Sequence, residues 1–189
     1  MTPFEYLLLF AAVILGLAIT DIAVSVHRLL AAGARVKWDW LAPLAALVAF
    51  LKIVTQWWTW FGAERIAGGL TFEMFLAVLI GVVLLFLLAA EALPDDFGER
   101  AIDLRAHYAS VSRRFWLLFA SQWLLMTGVD IWVQLEVGKA SLDLVSPAWL
   151  VAPVALTLAF VRGRWLHAIA LVGFSAVYVG QYLGQSLTH

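Results

Sequence analysis

The sequence contains no cysteine. That excludes disulfides, iron–sulfur clusters, thiolate metal sites and palmitoylation, while leaving the compartment open. Charge is scarce too: 13% of residues are Asp, Glu, Lys or Arg, and the net charge of -1 gives no electrostatic reason for a nucleic-acid partner. The opening MTPFEYLLLF lacks a basic segment, and the apolar run behind it is too long for a cleaved signal, so a retained first span is expected. Catalytic signatures are missing as well. There is no HExxH, no Gly-rich phosphate loop and no Ser, His and Asp set on a known motif, so the chain reads as a non-enzyme with no assigned cofactor.

What the sequence has in excess is apolar length. Hydrophobic residues make up 64% of the chain and the mean hydropathy is +0.94, beyond what a soluble core of 189 residues can hide. Runs long enough to cross a hydrocarbon core of ~30 Å fall at about 4–28, 40–62, 70–93, 114–135, 147–162 and 165–187. Their length and Leu/Ala content indicate helices, because a membrane β-barrel shows short alternating segments instead. The expected fold is therefore an all-α integral membrane protein of six transmembrane helices in one domain. The fifth run is short, and only Arg162, Gly163 and Arg164 separate it from the sixth.

Basic residues orient these spans. Arg28, Arg35, Lys37, Arg100, Arg105, Arg113, Arg114, Arg162 and Arg164 fall in or beside the loops after spans one, three and five, whereas only Arg65 and Lys139 fall on the other side. By the positive-inside rule the odd-numbered loops are cytoplasmic and both termini lie outside, in a multi-pass protein of the cell membrane, the inner membrane if bacterial. The tryptophans agree with these boundaries, since all but Trp123 sit near span ends. Between the halves 1–93 and 114–189, the connector 94–113 carries Phe97, Ala101, Leu104, Tyr108 and Val111 at steps of four and three. That periodicity predicts an amphipathic helix starting at Pro94 with Asp95 and Asp96 in its first turn. Its apolar stripe is expected on the membrane, with a protein partner at 95–111 as the alternative.

The halves repeat one another. LLFAAVILGLAITDIAV at 8–24 and LLFASQWLLMTGVDIWV at 117–133 share LLFA, Asp-Ile and a final Val at a constant offset of 109, which sets Asp21 on Asp130 and Trp40 on Trp149. After one inserted residue, PLAALVAFLK at 43–52 matches PVALTLAFVR at 153–162. Two halves of three spans each have opposite orientations, so the expectation is an inverted repeat about an axis in the membrane plane, an arrangement frequent in transporters.

Within this apolar background Lys52 stands out, with no charged residue within ten positions on either side. It falls near mid-span, where insertion scales penalise a lysine by ~2.5–3.5 kcal/mol, so it should face the bundle interior. Thr55, Gln56 and Thr59 continue a polar stripe on its helix face. Asp130, with Gln134 one turn on, is the preferred partner, with Asp21 and the polar stripe of span six as the alternatives. Tyr178, Tyr182 and Gln185 form a further stripe in span six, and Gly180 and Gly184 form a GxxxG pair suited to close helix packing. His27, His107 and His167 all fall on the cytoplasmic side and form a weak alternative for haem or a metal.

Three classes of function are compatible with these residues. One is a transporter or channel for an ion, proton or small solute using Lys52, Asp21 and Asp130, as a homo-oligomer if six helices are too few to enclose a pore. The second is a non-transporting scaffold or accessory subunit in the bilayer. The third is a histidine-bearing redox subunit.

Overall fold

The computed structural model describes residues 3–60, 71–95, 101–136 and 147–182. It is all-helical apart from one two-residue strand pair, with α1 (Pro3–Ala32), α2 (Leu41–Trp60), α3 (Phe72–Ala92), α4 (Leu104–Glu136), α5 (Val151–Phe160) and α6 (Arg164–Tyr182) among the described residues. Four of them, α1 to α4, are long and apolar enough to cross a membrane. The fifth, α5, has ten residues and spans only ~15 Å, lengthened by the 3-10 turn Pro147–Leu150 ahead of it. The 19 residues of α6 match α2 in length, and its polar side chains make it less apolar.

Local chemistry sets the helix ends. Beyond α1 the chain turns at Gly33, whose φ of 54° lies in the left-handed region that glycine enters without a Cβ penalty. An Asp39 carboxylate oxygen accepts from the Leu41 amide (3.1 Å) at the start of α2, and the Thr71 hydroxyl accepts from Met74 N (3.3 Å) at the start of α3. Helix α3 stops at Leu93, which is extended as the residue before Pro94 must be.

The helix expected from Pro94 starts later. Pro94, Asp95 and Ala101 are not helical, Ile102–Asp103 is a strand, and α4 begins at Leu104 with the Asp103 carboxylate accepting from Ala106 N (3.0 Å). The strand pairs in parallel with Val36–Lys37, Val36 opposite Ile102. A short backbone ladder thus ties the connection between α1 and α2 to the segment just before α4. Leu104, Tyr108 and Val111 are buried in the protein itself, so this part of the apolar stripe faces the helix bundle instead of the membrane.

Packing is centred on α3 and α4. These two form the most extensive contact, with α5 against α4, α1 against α3 and α6 against α2, while α2 also touches α3 and α4. The buried face of α2 is rich in alanine (Ala42, Ala45, Ala46, Ala49) until it reaches Lys52 and Ile53. Small side chains let helix backbones approach, which matters where lipid is as apolar as leucine and packing alone must hold helices together. On α4 the large rings of Phe115, Trp116 and Phe119 are fully buried. The outer surface is also apolar: Leu9, Val13 and Leu17 on α1, and Trp165, Ile169 and Val172 on α6, are all more than half exposed. In water such a surface would associate, whereas in a bilayer it is solvated.

Candidate functional site

Lys52 lies inside the bundle, with only 4% of its surface exposed. Its place in the middle of the 20-residue α2 puts the amine near mid-span. The surroundings differ from the expected ion pair. Among the described residues no carboxylate is within ion-pairing distance of Lys52, and its amine makes no hydrogen bond. Instead Nζ lies 4.5 Å from the ring centroid of Trp123, 5.3 Å from Phe119 and 5.8 Å from Tyr178. Two rings come from α4 at i and i+4, and the third comes from α6.

Negative ring faces attract an ammonium, and a desolvated cation–π contact contributes up to ~2 kcal/mol. Three such contacts are comparable with the ~2.5–3.5 kcal/mol cost of a central lysine. The aromatic rings therefore take the place of the expected carboxylate.

One turn further along α2, Gln56 Oε1 accepts from Gln122 Nε2 (3.1 Å), joining α2 to α4. Thr55 and Thr59 return their hydroxyls to the carbonyls of Lys52 and Gln56. The stripe expected on α2 is thus present, but its hydroxyls are committed to their own helix. Gln122 is completely buried and its Oε1 has no hydrogen-bond partner, and the buried Tyr178 hydroxyl has none either. Both unpartnered atoms belong to residues next to or within the ring set around Lys52.

The expected acids are elsewhere. Asp130 is exposed near the end of α4 and accepts from Gln134 Nε2 (2.8 Å). Asp21 is half-buried on α1, close enough to Asp95 and Arg28 for their charges to act on it, so it sits level with the end of α3 and not deep in the span. Tyr182 meets Trp58 edge-to-face with centroids 6.5 Å apart. A Cβ on Gly180 would meet nothing within 4 Å, so no other described part of the chain packs on it. Gln185 and Gly184 lie outside the described residues.

The three histidines do not converge, and no group of three His, Asp or Glu side chains suited to a metal occurs among the described residues. His27 is exposed, and His107 is half-buried beside the end of α3 with Nε2 unpartnered. Both nitrogens of the buried His167 are engaged. Val161 O can only accept, so Nε2 carries the proton and donates to it (2.8 Å). Nδ1 then accepts from Tyr108 OH (3.0 Å) and Trp116 Nε1 (3.2 Å). This triad fastens α4, α6 and the turn between α5 and α6 together. Around it, Arg114 pairs with Glu91 (3.1 Å), Arg113 stacks over Phe160 (5.1 Å), and Arg164 pairs with Asp39.

Residues missed by the sequence reading are Phe119, Gln122 and the role of Trp123. A usable signal existed. Trp123 was the one tryptophan away from an interface, and an indole there needs an internal reason.

Fold and site together define an all-helical protein with four helices fit to cross a bilayer and a lysine held among aromatic rings at its centre. Comparison with protein-family models, with curated proteins and with solved structures finds no match for the chain.

Proposed function

We propose that this chain is a small multi-pass protein of the cell membrane that acts as a transporter or channel for an ion, proton or small solute, with Lys52 at the centre of the path. The observation that carries this reading is the Lys52 amine, buried at mid-span without an acid and enclosed by rings that include Tyr178, whose hydroxyl is left unpartnered. A purely structural lysine gains most from a carboxylate, and none among the described residues is in reach. In this reading α5 and α6 join α1 to α4 as spans, giving six. The offset of 109 residues supports two inverted halves, and the uneven distribution of basic residues favours both termini outside.

A non-transporting scaffold is the second reading. It is favoured by the enclosure of the amine by three rings and by the distance of Asp21 and Asp130 from it. Reconstitution into liposomes separates the two. A transporter shows proton or ion flux that Lys52→Met abolishes while the variant remains folded, and a scaffold shows no flux in either form. Topology is tested in the cysteine-free chain with Arg105→Cys, which should be labelled only from the cytoplasmic side.

A further inference from the structure

The charge of Lys52 is not balanced by any acid among the described residues. The site holds one basic side chain with up to three N–H donors, and no carboxylate among the described residues is in reach of it. The Tyr178 hydroxyl, on a side chain 6% exposed, is a further donor with no acceptor. Gln122 is 0% exposed, with its Nε2 donating to Gln56 Oε1 and its own Oε1 unpartnered.

We propose that the Lys52 site binds a small monovalent anion, an inference that rests on the reading of this site as a solute path. The sign follows from the donor set, because a cation would meet the ammonium with no acid to offset it. The single charge follows from stoichiometry, since one lysine compensates one negative charge and a second would be stranded in an apolar interior. Small size follows from burial, because Lys52, Gln122 and Tyr178 are all at least nine-tenths enclosed. Halide, nitrate and formate have the right charge and dimensions.

The test is thermal unfolding of the full chain in detergent, titrated with sodium chloride, nitrate or formate at ionic strength held constant with gluconate, and separately with sulfate. A ligand that binds only the folded state raises Tm saturably. At least one small monovalent anion should do so, while gluconate and sulfate should not. Lys52→Met, which replaces a buried amine with an apolar chain of similar shape, should fold and lose the shift. Tyr178→Phe removes a hydroxyl that no described protein group uses, so it should fold normally and bind the anion about tenfold more weakly. Absence of any anion-dependent shift, or an equal shift in Lys52→Met, overturns the proposal. If no anion binds but liposomes show Lys52-dependent proton or cation flux, the anion is wrong and the path stands. Anion binding without any flux sustains the site and overturns the transport reading.

Discussion

The energetic relation between Lys52 and Trp123 can be measured by a double-mutant cycle of Lys52→Met and Trp123→Leu. Met removes the charge and keeps most of the stem's volume. The change relieves the ~2.5–3.5 kcal/mol cost of a central lysine and forfeits three ring contacts of ~0.5–2 kcal/mol each, so the terms oppose one another and the net effect lies between about 2 kcal/mol of stabilisation and about 3.5 kcal/mol of destabilisation. Trp123→Leu alone should cost about 2–4 kcal/mol, mostly from lost packing. The informative quantity is the coupling, in which the packing loss cancels. With Nζ 4.5 Å from the indole centroid in a desolvated site, a coupling of about 1–2 kcal/mol is expected. The same cycle with Phe119→Leu should give a smaller value, since that ring is 5.3 Å away. Reversible unfolding in mixed micelles supplies the four free energies. A Trp123 coupling below about 0.3 kcal/mol, the usual scatter of independent sites, would refute the claim that the ring faces hold the amine.

Three further outcomes are expected from unfolding measurements. Tyr108→Phe should cost about 1–2 kcal/mol, because it removes the hydroxyl that donates to His167 while the Trp116 N–H still reaches Nδ1. Asp39→Ala should cost about 1–2 kcal/mol through loss of the Leu41 cap and of the Arg164 partner, and Asp39→Asn should cost less because an amide oxygen can still accept from Leu41 N. Gly81→Ala should lie within about 1 kcal/mol of wild type, as only the flexible end of Met126 must move away from the added Cβ, whereas Gly81→Leu should cost about 1–3 kcal/mol and be partly rescued by Met126→Ala.

Much of the architecture was legible because it depends on length and hydropathy. The six apolar runs correspond to the six described helices, and the short fifth run is the short α5. Boundaries set by hydrogen bonding were less legible. The periodicity from Phe97 to Val111 extends helical spacing upstream, but the Asp103 cap and the pairing of Val36 with Ile102 hold the helix start at Leu104, and a strand pair between distant loops leaves no local pattern. In the site, the interior position of Lys52 followed from its cost in lipid alone. Its partner did not, because opposite charge is the obvious complement of an ammonium and ring faces carry no formal charge. Asp130 drew attention through the repeat, yet its place near the end of α4 leaves it exposed, while the neutral Phe119, Gln122 and Trp123 have nothing ionic to flag them.

Thiol accessibility at position 52 tests the path most directly. Lys52→Cys, in a chain without other thiols, should react with a small charged methanethiosulfonate reagent added in water to the protein in liposomes. Val54→Cys, on the exposed apolar face of the same helix, should not react, because charged reagent does not enter lipid. Reaction at 52 and not at 54 is the result predicted for a lysine that solute reaches. An inert thiol at position 52 in a folded protein would contradict it and leave Lys52 as a sealed packing element.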